Sequence, residues 1–188
     1  DRYPSRVLVE DLDNDGDLDM FCLLKDNSFA VYGNDGVLNF SQTHLSSQIY
    51  LNFISTGRDI ALEDIDGDGL RDIVFGIGEM TIYKNMGNLT FTKTQVNKYM
   101  RGSVVVTDFN NDGNLDIVSS DEGIISVSLS ADTINISNFT FYGVQSSYSS
   151  TPCISFDYDA DGYKDIILSN ATKIKTYFNN GAGGFSNS

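Results

Sequence analysis

Aspartates recur in this chain at a spacing suited to holding a hard cation. Four nine-residue segments, Asp11–Asp19, Asp64–Asp72, Asp108–Asp116 and Asp157–Asp165, carry Asp at positions 1, 5 and 9, Asp or Asn at position 3, and Gly at position 6. Oxygens at these positions, with a glycine for the sharp turn, favour calcium. Calcium takes six to eight oxygens in flexible geometry, whereas magnesium demands a tighter octahedron and keeps its waters. The expected side-chain ligands are Asp11, Asp13, Asp15 and Asp19 in the first loop, and Asp64, Asp66, Asp68 and Asp72 in the second. In the third they are Asp108, Asn110, Asp112 and Asp116, and in the fourth Asp157, Asp159, Asp161 and Asp165. Position 9 is expected to be bidentate. Position 7 varies freely, so Asp17, Leu70, Asn114 and Tyr163 are expected to offer a backbone carbonyl. The reading is up to four Ca²⁺, one per loop, with the third weakest because Asn110 removes a charge. Good turn formation alone does not demand the same Asp and Gly in all four loops. An EF-hand is excluded, because position 12 is Cys22, Phe75, Ser119 or Leu168 rather than an acid.

The elements that must carry these loops are strands. The loops begin 53, 44 and 49 residues apart, so a unit of roughly fifty residues repeats along the chain. A short apolar run precedes each loop: Arg6–Val9, Ile60–Leu62, Val104–Val106 and Cys153–Phe156. Another follows at once: Leu18–Leu24, Asp72–Phe75, Leu115–Val118 and Asp165–Leu168. These runs are short, rich in Val and Ile, and bounded by Gly, Asn and Asp, which is a strand pattern. A second hairpin is signalled by Asn/Asp-Gly turns at Val31–Gly36, Ile82–Gly87 and Thr176–Gly181, each followed by a phenylalanine, Phe40, Phe91 or Phe185. The third unit lacks that glycine between Val127 and Asn138, and an elongated outer hairpin is expected there. Only Ser46–Leu51 suggests a short helical turn. Pro4 and Pro152 stand at the starts of the first and fourth units, where no central-strand donor is lost.

The expected fold is therefore all-β, a β-propeller of four-stranded antiparallel blades with four blades present. Their approximate limits are 5–51, 58–100, 102–149 and 151–188, the last truncated, within one propeller segment spanning 1–188. An isolated arc of four blades leaves open edges. The reading is thus a larger ring of about seven blades, or completion by a neighbouring chain.

Composition narrows the function. Acidic residues outnumber basic ones 26 to 12, for a formal charge of −14, and fifteen of the acids are the expected ligands. Four Ca²⁺ would bring the charge to about −6, an ordinary surface value. A basic nucleic-acid footprint is absent, and no apolar run approaches the roughly 18 residues of a membrane helix. The chain opens on Asp1-Arg2-Tyr3-Pro4 without an initiator Met, and reads as a mature or excised segment. Cys22 and Cys153 are too few for a disulfide framework and are expected to be free and buried. His44 is the one histidine, read as a surface-loop residue, so a Ser-His-Asp or Cys-His site is unsupported and no enzyme activity is expected. Sequons at Asn39, Asn88, Asn135, Asn138 and Asn170 would suit an extracellular chain, as would calcium loops of moderate affinity. Phe40, Phe91 and Phe185 are expected in the core, whereas Tyr50, Tyr142 and Tyr148 fall in variable segments that could contact a ligand.

The pattern Asp-x-Asp/Asn-x-Asp-Gly-x-x-Asp, an apolar strand and, in three units, Tyr-x-Asn-x-Gly-x-x-x-Phe resembles the calcium-binding FG-GAP and VCBS-type repeats of integrin α-like propellers. The resemblance covers nearly the whole chain. It implies that the loop joins the inner two strands of a blade and that calcium is structural. It implies extracellular or cell-surface recognition of a protein or glycan as the commonest use, while lectins, surface assemblies and accessory domains of enzymes share the fold. The Gly-Ala-Pro element of the family is absent here, and no Arg-Gly-Asp occurs. Self-association through open blade edges is a further expectation.

Overall fold

The computed structural model describes residues 3–26, 28–46, 59–76, 79–99, 102–121, 124–130, 139–145, 153–169, 173–182 and 184–187. Among the described residues, sixteen strands form four separate antiparallel sheets, each a simple meander of four consecutive strands. The first sheet contains β1 (Pro4–Glu10), β2 (Asp19–Leu24), β3 (Phe29–Asn34) and β4 (Phe40–Leu45). The second contains β5 (Ile60–Glu63), β6 (Asp72–Phe75), β7 (Glu79–Asn85) and β8 (Phe91–Tyr99). The third contains β9 (Ser103–Thr107), β10 (Asp116–Asp121), β11 (Ile124–Ser130) and β12 (Phe139–Gln145). The fourth contains β13 (Cys153–Phe156), β14 (Asp165–Ser169), β15 (Ile174–Asn179) and β16 (Phe185–Asn187). In every sheet the acidic loop joins the first two strands, and position 9 is the first residue of the second strand.

In the second and third sheets the second strand is covered on both faces, which explains the apolar Ile73–Phe75 and Ile117–Val118 at its start. Alternate residues of that strand point to different neighbours. In β2, Phe21 and Leu23 face the second sheet, where they join Ile73, Phe75 and Tyr83 in one core cluster. The next residue type along, Val74 in β6, faces the third sheet and meets Ile117. Val118 in β10 in turn meets Ile166 and Leu168 of the fourth sheet. The period-2 pattern of each strand is therefore shared between two inter-sheet cores. Aromatic rings concentrate between the first two sheets. Phe29 lies 5.3 Å from Phe21, 5.7 Å from Phe75 and 4.8 Å from Tyr83, the last edge-on.

The outward faces of the first and fourth sheets have no such neighbour among the described residues. Val7 and Val9 are 46 % and 50 % exposed, and Ile154 and Phe156 are 59 % and 55 % exposed. Equivalent positions in β5 are half-buried or buried. At the starts of the first strands, Asp59 links three sheets. It accepts from Arg6 of the first, and from Ser103 Oγ (2.7 Å) and Val104 N (3.1 Å) of the third.

His44 corrects the sequence reading. It sits half-buried on β4, stacked 5.2 Å from Phe29 and edge-on to Phe91 at 5.4 Å, and burial lowers its pKa. A lone histidine in a strand of mostly exposed residues gives no sequence sign that its ring covers a core phenylalanine. Cys22 and Cys153 are both buried and are not joined by a disulfide, as expected. Phe91 and Phe185 pack at the margins of two core clusters. The turn expected after Ser46, the long third-unit excursion at 131–138, Tyr50, Tyr148, Pro152 and the sequons at Asn135, Asn138 and Asn170 lie outside the described residues. Asn39 and Asn88 are exposed.

Candidate metal centres

Each acidic loop is built by the same local bonds. Position 4 takes a left-handed backbone in all four, at Asn14 (φ 61°), Gly67 (φ 75°), Asn111 (φ 56°) and Ala160 (φ 64°), and the position-6 glycines follow at φ 89–94°. The position-1 carboxylate accepts from the position-6 N–H: Gly16 to Asp11 (3.1 Å), Gly69 to Asp64 (2.8 Å), Gly113 to Asp108 (2.8 Å) and Gly162 to Asp157 (3.1 Å). The position-5 carboxylate accepts from the position-7 N–H, as Asp15 does from Asp17 at 2.9 Å and Asp161 from Tyr163 at 2.9 Å. These bonds give all four loops the same curled backbone.

Three loops bring acidic oxygens together within 4.8 Å of one another: Asp11, Asp13 and Asp15; Asp64, Asp66 and Asp72; and Asp157, Asp159 and Asp165. Four buried oxygens in these loops, Oδ1 of Asp11, Asp13, Asp66 and Asp157, have no hydrogen-bond donor. A buried carboxylate oxygen without a donor is costly unless a cation satisfies it. The all-oxygen, all-anionic donor set suits a hard divalent ion, so the residues fit calcium. The electrostatics agree: burial first, then the Asp19 and Asp15 charges, raises the Asp13 pKa. In the third loop no such convergence occurs among the described residues. Asn110 turns its Nδ2 donor onto Asp112 Oδ2 (2.9 Å), and Asp112 N donates back to Asn110 Oδ1 (3.1 Å).

The position-9 aspartates have a second role that sequence spacing did not show. Each is fully buried. Asp19 accepts from Leu12 N and Asn34 N, both at 2.9 Å, and Asp72 from Ile65 N (3.1 Å) and Asn85 N (2.7 Å). Asp165 does the same for Tyr158 N (2.8 Å) and Asn179 N (2.9 Å). One carboxylate thus ties the loop to the third strand. Burial, against these two hydrogen bonds, pushes the Asp72 pKa up to about 6.

The asparagine of Tyr-x-Asn-x-Gly completes the arrangement and reaches across sheets. Asn85 Nδ2 donates to Leu12 O of the preceding sheet (2.6 Å) and to Arg71 O (3.1 Å), while its Oδ1 accepts from Gly87 N (3.0 Å). Asn179 repeats this with Phe109 O (2.6 Å), Lys164 O (3.0 Å) and Gly181 N (3.0 Å). Neighbouring loops are also joined directly, by Asn14 Nδ2 to Gly69 O (2.7 Å) and Asn111 Nδ2 to Gly162 O (3.0 Å). The recurrence of asparagine at residues 34, 85 and 179, in addition to its turn-forming role, is the sequence signal for this latch.

Of the position-7 residues, Asp17 and Tyr163 pack against the glycine of the following hairpin turn. A β-carbon at Gly36 would lie 2.6 Å from Asp17 Oδ2, and one at Gly181 2.3 Å from the Tyr163 ring. Leu70 lies looser against Gly87, at 3.9 Å, and Asn114 is half-buried in its loop. In the second loop a cation of the protein's own is present. Lys84 Nζ pairs with Asp66 Oδ2 and lies 3.3 Å from Asp68 Oδ2. Hydrogen bonding to Asp66 raises the Lys84 pKa further above its ordinary value.

With four meander sheets and their loop carboxylates defined, the family model of the FG-GAP-like repeat matches residues 11–75 and 64–119. The chain belongs to the FG-GAP-like repeat family. Its sheets are accordingly propeller blades, and its three aspartate triads are consistent with the calcium sites of such repeats. A stretch of 74 residues is 42 % identical to integrin alpha pat-2 of Caenorhabditis elegans, covering 33 % of this chain and 6 % of that protein. Among solved structures, the chain is similar to an Agrocybe aegerita lectin that recognises non-reducing terminal N-acetylglucosamine. The TM-score is 0.67 at 21 % identity, over 96 % of this chain and 51 % of the lectin. It is also similar to part of the Tc holotoxin pore of Photorhabdus luminescens, with a TM-score of 0.55 at 16 % identity, over 92 % of this chain and 9 % of that one. The chain therefore spans about half of the lectin and a small part of the other two.

Proposed function

We propose that this chain is a non-enzymatic, extracellular, calcium-stabilised β-propeller segment that serves adhesion or protein recognition. The donorless carboxylate oxygens buried in the loops carry the calcium part of the reading. The integrin α relationship supports a cell-surface role. Calcium binding by Asp11, Asp13, Asp15 and Asp19, and by their counterparts in the other loops, would fix the first hairpin of each blade. The variable segments would then be displayed on a rigid frame. The apolar outward faces of the first and fourth blades support a ring with more blades than the four seen, as does the half-length coverage of the lectin. A further sign is Asn34, whose Nδ2 donates to Leu18 O (3.2 Å) and, unlike Asn85 and Asn179, reaches no carbonyl of another blade among the described residues.

The experiment is a binding screen of the chelated and calcium-loaded protein against cell-surface extracts. Calcium-dependent capture of a protein that persists after removal of its glycans supports recognition of protein. Equal capture with and without calcium would refute the mechanism.

The lectin likeness favours a second reading, glycan binding on the same frame. Calcium-dependent retention on a sugar matrix, released by free N-acetylglucosamine or another sugar, would establish it in place of the first.

A further inference from the structure

Lys84 distinguishes the second loop from the other three. It precedes Asn85 on β7, where register places Tyr83 opposite Ile73. The same register places Gly33, Leu129 and Phe178 at the corresponding positions of the other blades. None of those side chains can carry a charge. The Lys84 ammonium reaches back from the third strand into the loop and contacts Asp66 and Asp68, the position-3 and position-5 carboxylates. Asp66 is nearly buried, with a side-chain exposure of 6 %, and Lys84 is 30 % exposed. The ammonium therefore lies where two carboxylates would face a divalent ion.

We propose that Lys84 is a tethered counter-ion that sets the calcium affinity of the second site. This rests on the calcium reading of the loops. With the loop free of calcium, Lys84 neutralises Asp66 and Asp68 and holds their carboxylates together. A divalent ion bound by Asp64, Asp66, Asp68 and Asp72 must displace the ammonium or bind beside it, and either lowers affinity through like-charge repulsion and a lost ion pair. Loops one and four have no such competitor among the described residues. Lys84 would make the second site fill after them, and leave its blade less dependent on calcium than theirs.

Opposite effects on affinity and on calcium-free stability separate this role from a packing role. Lys84→Met keeps the aliphatic stem and removes the charge. Calorimetric titration of the chelator-stripped Lys84→Met protein with CaCl₂ should show one site gaining affinity roughly five- to tenfold, as expected for one lost, partly exposed ion-pair network. Its melting temperature in excess EDTA should fall. Lys84→Arg should restore both values towards wild type. Adding Asp66→Asn to Lys84→Met should abolish the gain, assigning it to the second loop. Unchanged or weaker calcium affinity in Lys84→Met would overturn the proposal, because a purely structural lysine lowers stability and affinity together. Wild-type protein that takes up no calcium would instead refute the calcium reading itself.

Discussion

Replacing Asn85 by alanine tests how the blades are held together. The side chain is fully buried and makes three hydrogen bonds, to Leu12 O, Arg71 O and Gly87 N. Truncation leaves the Leu12 carbonyl buried without a donor, at about 1–2 kcal/mol, and loses two part-buried bonds at about 0.5–1 kcal/mol each. The sum is about 3 kcal/mol, or a melting temperature lower by about 6–12 °C for a chain of this size. Asn34 is the internal control. It occupies the same place in its blade, but among the described residues its side chain bonds only Leu18 O and Gly36 N, both solvent-exposed interactions. Asn34→Ala should cost about 1 kcal/mol and about 2–4 °C. Asn179→Ala, which releases Phe109 O, should match Asn85→Ala. Differential scanning calorimetry in saturating calcium is the assay, since it holds the loops constant. Equal losses at Asn34 and Asn85 would show that the asparagine acts within its own hairpin, and the inter-blade latch would be wrong.

Other expectations follow from single sites. Asp72, with a folded pKa of about 6 against 3.8 for the free side chain, favours the folded state most below pH 4 and loses that contribution as pH rises through 6. In EDTA, thermal stability should therefore rise by about 2 kcal/mol from this group between pH 7 and 4, an increment that Asp72→Asn abolishes. Asp59 has the opposite sign. Burial raises its pKa, but bonds from Ser103, Arg6 and Val104 outweigh this and hold it below normal, so its contribution is present above about pH 4 and lost in more acid solution. Urea titrations of Asp59→Asn should show reduced acid sensitivity there. Ala160 carries a β-carbon at φ 64°, and Ala160→Gly should raise the melting temperature by about 1–4 °C, for about 0.5–1 kcal/mol of relieved strain. Phe29→Ala removes the ring at the centre of the first inter-blade cluster and should cost about 3–5 kcal/mol in chemical denaturation.

The strands, their hairpins and the loops were legible because each unit repeats a period-2 apolar pattern bounded by glycine and asparagine turns. Side-chain reach between units was not legible. Nothing in the sequence places Asn85 beside Leu12, 73 residues away, or Asp59 between Arg6 and Ser103. Those contacts arise from the stacking of blades, and only similar positions in successive repeats could hint at them. The ligand loops show the same limit. Spacing grouped the position-9 aspartates with the other ligands, but their oxygens also bind two backbone N–H groups, a role set by the third strand. Lys84 carries no sequence sign of its role, because its partner Asp66 belongs to a loop eighteen residues earlier.

Calorimetric titration of chelator-stripped protein with calcium, paired with melting curves, tests the central claim most directly. The account predicts at least three calcium ions per chain. Each site adds about 2.7 kcal/mol of stability once calcium reaches a hundred times its Kd. Asp13→Asn and Asp159→Asn should each remove one equivalent. No binding heat and an unchanged melting temperature at millimolar calcium would contradict it, and the aspartate loops would then be turns alone.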